Sequence, residues 1–270
     1  MNFSVLMSVY SKEDYRFLDL ALESLFDQTL PAQEVVLVED GALTEELYSV
    51  IEKWKDKLPL NTVKLEQNVG LGKALNIGLN ECSNNIVARM DTDDIAKEDR
   101  FEKQINFFKD NPDADILGTS ILEFDNDITE ITSERQMPIT HDEIIKFAKY
   151  RNPFNHMTVM YKKDKVLAAG SYLDCPYFED YFLWLRMLKN GAKTANLREC
   201  LVYARIGNDM LGRRHGWGYF KHEISFWYKT YTIGYNSFLC ASLVLIMRAP
   251  IRLLPMPIYK LIYNKILRKG

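Results

Sequence analysis

The sequence predicts an α/β fold built on a mostly parallel sheet, and three observations carry that expectation. Four short runs read as strands: "FSVLMSVY" (residues 3–10), "EVVLV" (34–38), "TVKLE" (62–66) and "NIVARM" (85–90). The first is apolar on both faces, as a strand inside a parallel sheet is. Helical patterns separate the strands, and β-α-β-α alternation is the signature of a sheet with helices on both faces. Polar residues gather where strands end: Tyr10 and Ser11 after the first, Glu39-Asp40-Gly41 after the second, Asp91-Thr92-Asp93-Asp94 after the fourth. In open α/β sheets, ligands bind outside the carboxyl ends of the strands.

Each element has its own justification. Tyr15, Leu18, Leu22, Leu25 and Phe26 recur at helical spacing, and Pro31 closes that unit. Thr44 is placed to cap a helix running to about Lys57, with Leu47, Val50, Ile51 and Trp54 on one face. Residues 70–79 read as a turn and short helix, and "EDRFEKQINFF" (98–108) as a further helix. No repeat and no low-complexity linker interrupts the chain.

Composition narrows the class. Of 270 residues, 47% are hydrophobic and 26% charged, which suits a globular protein. A net charge of −3 weighs against nucleic acid as a partner. Charge is distributed unevenly: no Asp or Glu follows Glu223, whereas Lys229, Arg248, Arg252, Lys260, Lys265, Arg268 and Lys269 do. Cys82, Cys175, Cys200 and Cys240 have neither zinc nor redox spacing, so a reducing compartment is expected. "MNFSVLMSVY" lacks the basic region of a signal peptide, and residues 233–247 are short for a spanning helix.

Two stretches call for chemistry. Asp91, Asp93 and Asp94 crowd within four positions, and each raises the cost of ionising the others. Such a turn suits a hard divalent cation bridging to substrate phosphates, or else a solvated acidic turn that caps the helix near Glu98. A phosphatase-like Asp-x-Asp nucleophile would want Thr where Ile95 stands. "NVGLGKALN" (68–76) is neither a P-loop nor a dinucleotide fingerprint. It reads as a helix start whose backbone and Lys73 could lie under a nucleotide.

The quoted motifs "SVLMSVY", "VVLVEDGA", "NVGLGKALNIGL" and "ARMDTDDIAKEDRFEKQ" resemble, in order and spacing, those of family 2 glycosyltransferases with the GT-A fold. The chain is similar to bacterial enzymes of O-antigen, capsule and amylovoran-type exopolysaccharide assembly. Motif agreement covers residues 3 to about 104, with further matches to about 205.

The resemblance implies roles. Asp40 would meet the nucleotide base, with Tyr10 and Ser11 beside the nucleotide. Asp91 and Asp93 would touch the ribose and hold Mn²⁺ or Mg²⁺ on the donor diphosphate. Asp94 would cap a helix. In "CPYFEDYFLW" (175–184), Asp180 matches the general base and Glu179 a supporting acceptor contact. The residues alone equally allow an N-terminal helix cap there. His156 would lie near the acceptor, and Tyr177, Phe178 and Trp184 could stack on a sugar or pack the core. Relatives often carry a metal-binding His two places after a late Arg. Here Arg205 is followed by Ile206 and Gly207, which leaves Asp209, His215, or phosphate and water to complete the sphere. Arg213 and Arg214 could meet the diphosphate or form a solvated basic loop.

The implied enzyme is an inverting, metal-dependent hexosyltransferase. It would move Glc or Gal from a UDP-sugar to a lipid-linked acceptor such as GlcNAc-diphospho-undecaprenol. The competing class is a non-catalytic binding subunit of a polysaccharide assembly complex. Sugar-nucleotide synthesis is disfavoured because "SVYSKEDYR" lacks that chemistry's Gly-rich basic loop. Residues 1–215 are expected to form the catalytic domain, 1–104 its nucleotide-sugar half and 105–215 its acceptor half. Residues 216–270 are expected to form a basic amphipathic helical extension. Its short apolar and cationic pieces, broken by Pro250, Pro255 and Pro257, suit an anionic membrane interface. Peripheral attachment to the cytoplasmic face of the bacterial inner membrane follows; a packed helical hairpin is the alternative.

Overall fold

Parallel pairing of four strands forms the nucleotide-side half of the fold. β1 (Phe3–Val9) lies between β2 (Glu34–Glu39) and β4 (Ile86–Arg89), and β3 (Leu60–Lys64) extends the edge beyond β2. The computed structural model describes residues 1–207, 212 and 214–262. The helices α1 (Tyr15–Phe26), α2 (Glu45–Lys55) and α3 (Leu71–Glu81) connect these strands where the apolar periodicity predicts. Thr44 caps α2 by accepting the Leu47 amide.

Beyond β4 the sheet becomes mixed. Two-residue β5 (Ile95–Ala96) and α4 (Arg100–Asp110) lead to β6 (Ile116–Phe124) and β7 (Ile131–Arg135). After α5 (His141–Phe147) and a 3-10 turn at His156–Thr158 come β8 (Met160–Lys162), α6 (Lys163–Ala168), α7 (Glu179–Lys189) and β9 (Thr194–Arg205). Strand order is β3-β2-β1-β4-β8-β6-β9-β5, with β7 on β6. β8 runs antiparallel to both β4 and β6, β5 antiparallel to β9, and β6 parallel to β9. The antiparallel β8 joins the two halves of the sheet, and the polar loops of both halves meet beside it.

Apolar clusters lie on both faces. Leu18, Leu22, Val50, Trp54 and Phe101 pack under one, and Leu75, Val87, Tyr161 and Trp184 under the other. The second cluster continues into the C-terminal segment. α8 (Gly216–Thr232) and α9 (Phe238–Arg248) are followed by a 3-10 turn at Pro250–Leu253 and α10 (Met256–Ile262). Phe226 of α8 stacks on Phe178 with ring centroids 4.4 Å apart and 9° between planes, and it also meets Tyr181 at 4.8 Å. Phe226 and Trp227 are fully buried, each contributing about 2 kcal/mol by removal from water. The helices after residue 215 therefore share a core with the residues before it. The inner side of the tail is thus packed on the rest of the chain, while the outer side of α9 stays exposed at Phe238, Leu239, Leu243, Ile246 and Met247. Glu223, buried in α8, accepts Nε of Arg248 at 3.1 Å and Nε of Arg252 at 2.8 Å. Among the described residues no helix is long and apolar enough to cross a membrane.

Candidate active site

The acidic turn sits on a foundation of arginine. Arg89, the last residue of β4, is fully buried and pairs with Asp91. Its Nη1 also donates to the Leu6 carbonyl at 3.3 Å. Arg100, also buried, donates Nη2 to the Arg89 carbonyl at 2.7 Å, and burial pulls its guanidinium down to about 9. Two cations beneath the turn thus offset part of its negative charge.

The carboxylates converge as the sequence suggests. One oxygen from each of Asp91, Asp93 and Asp94 lies within 4.8 Å of the others. Asp93 is pushed up to about 7, first by burial and then by the charges of Asp91 and Glu13. Glu13 joins the group through Thr92, whose hydroxyl donates to Glu13 Oε2 at 2.7 Å. Asp94 is raised well above the carboxylate range by burial and then by Asp93. Its Oδ2 is buried with no hydrogen-bond partner among the described residues. A hard divalent cation fits this set: every donor is oxygen, and added positive charge relieves both the repulsion and the orphaned lone pairs.

Asp94 does not cap a helix. α4 begins at Arg100 with Asp99 at its cap, whereas Asp94 Oδ1 accepts the Arg205 amide at 2.8 Å. Arg205 in turn donates Nε to the Asp93 carbonyl at 3.1 Å, with its guanidinium 3.8 and 4.4 Å from the Phe17 and Phe124 ring centroids. The end of β9 is clamped to the acidic turn by that residue. Asp209 and Arg213 lie outside the described residues. His215 points its Nε2 at the Leu254 carbonyl, 2.7 Å away, and rests against Tyr259.

Asp40 is nearly buried and holds the neighbouring loop. Its Oδ1 accepts the Val69 amide at 2.7 Å and its Oδ2 the Gly70 amide at 3.1 Å. Gly41 makes this approach possible: its φ is +86°, and a Cβ there would lie 2.7 Å from the Asn68 nitrogen. Tyr10 and Ser11 are exposed at the end of β1, beside Asp40, whose amide donates to the Val9 carbonyl at 2.8 Å. Lys73 is exposed on α3; Leu71, rather than Lys73, reaches the central cavity.

That cavity, about 700 Å³, is lined by Asp91, Glu179, Asp180, His156 and Arg214 among others. Asp180 is half-buried in the first turn of α7, and its Oδ2 accepts Asn152 Nδ2 at 2.6 Å. Burial raises its carboxyl above the ordinary range, opposed by the Tyr181 backbone, Asn152 and the charge of Arg214. Glu179 is pushed up to about 7, mainly by burial. Neither caps α7 in the usual manner, since the cap position is Phe178 and no side chain bonds there. Glu179 instead packs on α3: a Cβ at Gly72 would lie 2.7 Å from Glu179 Cγ. One ionisable-base candidate and the acidic turn therefore face the same space.

The aromatic candidates separate cleanly. Trp184 is fully buried against Phe154, Tyr161 and the His156 ring, so it presents no face to a sugar. This corrects its assignment as an acceptor contact: α7 is apolar almost all round, and such a helix is buried. Phe178 is likewise core. Tyr177 is 49% exposed, lines the cavity, and holds φ at +69°, a conformation non-glycine residues rarely adopt. His156 lines the cavity while its Nε2 meets the Tyr172 hydroxyl at 3.1 Å, and burial holds its ring well below the usual histidine range. It is neutral at physiological pH, suited to hydrogen bonding. Arg89, Glu13, Asn152 and Arg205 are the site residues that sequence reasoning did not select, whereas Tyr177 was one of three aromatics it offered for a sugar. Of these four only Arg205 had drawn attention, as a landmark before Ile206 and Gly207.

The model for "Glycosyl transferase family 2" matches residues 4–168. The chain is 44% identical over 268 residues to the amylovoran biosynthesis glycosyltransferase AmsE of Erwinia amylovora, covering 99% of this chain and 100% of that one. It is 38% identical over 267 residues to the UDP-Gal:alpha-D-GlcNAc-diphosphoundecaprenol beta-1,3-galactosyltransferase of Escherichia coli, covering 99% and 97%. Its fold is similar to the crystal structure of S. aureus TarS 1-349 in complex with UDP-GlcNAc. The TM-score is 0.69 at 18% identity, over 91% of this chain and 70% of that one.

Proposed function

We propose, because this chain belongs to glycosyl transferase family 2, that it moves galactose or glucose from a UDP-sugar to a lipid-linked acceptor. Membership of the family makes it a glycosyltransferase. The acceptor class, a sugar such as GlcNAc on diphospho-undecaprenol, is taken from the similar E. coli galactosyltransferase. The observation that carries the reading is the single cavity shared by Asp91 and Asp180, with Asp180 gripped by Asn152.

In this reading the donor lies over the carboxyl ends of β1, β2 and β4. Asp40 and the turn it holds at residues 68–70 frame the base end, with Tyr10 and Ser11 beside it. Asp91 and Asp93 would hold Mn²⁺ or Mg²⁺, which when bound supplies Lewis-acid stabilisation of the departing diphosphate. Arg214 adds positive charge on the same wall. Asp180 takes the proton from the attacking acceptor hydroxyl, oriented by Asn152 and helped by Glu179. The hydroxyl oxygen bonds to the anomeric carbon, the bond to UDP breaks, and the configuration inverts. Tyr177 and His156 supply the acceptor sugar's stacking face and hydrogen bond.

Attachment to the cytoplasmic face of the inner membrane belongs to the same proposal. α9 exposes Phe238, Leu239, Leu243, Ile246 and Met247 on one side while Ala241 and Val244 face inward. An exposed apolar stripe suits insertion at a bilayer interface; Arg248 and Arg252, expected at headgroup level, instead turn inward onto Glu223. The purified chain should be incubated with Mn²⁺, a GlcNAc-diphosphate-alkyl acceptor and, separately, UDP-Gal, UDP-Glc and UDP-GlcNAc. One hexose is expected to transfer, giving a β-linkage, and chelator should abolish it. Transfer with none of the donors would overturn the reading.

A further inference from the structure

Besides Arg214 and Arg252, the cavity that holds Asp180 gathers three further arginines from separate parts of the chain. Arg151 follows α5, Arg135 ends β7 and Arg248 ends α9, and all three line it. Both chain neighbours of Arg151 are engaged. The Tyr150 carbonyl accepts Arg248 Nη1 at 3.0 Å, and Asn152 holds Asp180. The cationic group therefore stands one residue from the base's hydrogen-bond partner. Burial lowers the Arg151 guanidinium, and the charges of Arg248 and then Arg135 lower it further, so both cations stand near it. Glu223 offsets the Arg248 charge from below. Asp91, Glu179 and Asp180 are the carboxylates on the cavity wall, and they mark the reacting end. Guanidinium groups gathered in one cavity suit an anion with several oxygens; Arg248 already gives Nε to Glu223 and Nη1 to the Tyr150 carbonyl, so it brings charge rather than an open fork.

We propose that Arg135, Arg151 and Arg248 form an anion subsite that grips the diphosphate joining the acceptor sugar to its lipid. The proposal rests on the reading above that the acceptor is a diphosphate-linked sugar. The geometry orders the substrate. The sugar hydroxyl meets Asp180, the diphosphate lies on the arginines, and the lipid leaves past Arg248. There the exposed Ile246 and Met247 of α9 begin an apolar path that runs back to Phe238. One surface thus serves lipid and membrane together.

The test compares two acceptors with the same GlcNAc and the same alkyl tail, one joined by a diphosphate and one a plain alkyl glycoside. Arg151→Gln and Arg135→Gln should each raise KM for the diphosphate acceptor about tenfold, the scale of one charge-assisted hydrogen bond. The preference for the diphosphate acceptor should collapse accordingly, and Arg151→Lys should restore part of it. An increase confined to the KM of the UDP-sugar would assign the arginines to the donor and overturn the proposal. Equal losses with both acceptors would overturn it too. A second measurement is independent of turnover: calorimetric titration of the diphosphate acceptor into the full chain, without donor and in chelator. Weaker binding by Arg151→Gln supports the subsite even if no donor sugar is accepted; unchanged binding overturns it.

Discussion

Removing the Asn152 amide should move the acid limb of the reaction. Asn152 Nδ2 donates to Asp180 Oδ2 at 2.6 Å and stabilises the charged carboxylate. Burial already raises that carboxyl, and Asn152 is one of the groups opposing the rise. Asn152→Ala deletes the donor, so the protonated form gains. A hydrogen bond to a charged group contributes about 1.5–3 kcal/mol, and one pKa unit corresponds to about 1.4 kcal/mol. The protonated form of Asp180 should therefore gain about 10- to 100-fold over the carboxylate, which moves its titration to higher pH. A base is competent only when deprotonated, so kcat falls as pH falls through this value, and the variant should begin to fall at correspondingly higher pH. The assay is kcat against pH at saturating donor and acceptor. Glu179, which titrates at about 7, is a second contributor, so the profile should be repeated in a Glu179→Gln background. An unmoved acid limb with a uniformly lower plateau would refute the argument, because it would mean that Asn152 only orients and that another group titrates.

Asp91→Ala and Asp93→Ala should each remove nearly all transfer. They should also remove the rise in Tm that Mn²⁺ is expected to give the parent chain; a thermal shift that survives both changes would place the cation elsewhere. Asp180→Asn should lower kcat by about 10²-fold or more while leaving UDP binding intact, and Glu179→Gln should be milder; the reverse order, read from single-turnover rates, would exchange the two roles. Arg252→Ala should cost about 3 kcal/mol in urea unfolding, because buried Glu223 loses its closer partner. For the same reason, cutting the chain near Phe238 would strip Glu223 of both arginines. Membrane attachment is better tested by Leu239→Ser and Ile246→Ser together, which should release the protein from anionic vesicles without moving Tm. Undiminished vesicle binding would refute the α9 contact.

The first hundred residues were readable because their signal is local. β1 to β4 and α1 to α4 follow from apolar period and caps, and Asp91 and Asp93 follow from a three-residue motif after a strand. What was not readable depends on distant pairs. Glu13 meets Thr92 across 79 positions, Asn152 meets Asp180 across 28, and Arg205 meets Asp94 across 111. No periodicity encodes such contacts. Asp94 was misread because acids near a helix start usually cap it, whereas here the β9 end competes for it and wins. Trp184 was misread because an aromatic near a carboxylate suggests a sugar platform. The apolar residues surrounding it in α7 were the better guide.

The contact between Gly72 and Glu179 limits how the enzyme can be re-engineered. In the proposed function the loop that starts α3 serves the nucleotide and Glu179 the acceptor, yet a single added methyl at Gly72 would meet Glu179 Cγ at 2.7 Å. Swapping this loop for one from a relative with a bulkier residue would displace the carboxylate next to the base. Under the proposed assignment, donor and acceptor preference would not be separate modules, and libraries that aim to change one should vary both positions together.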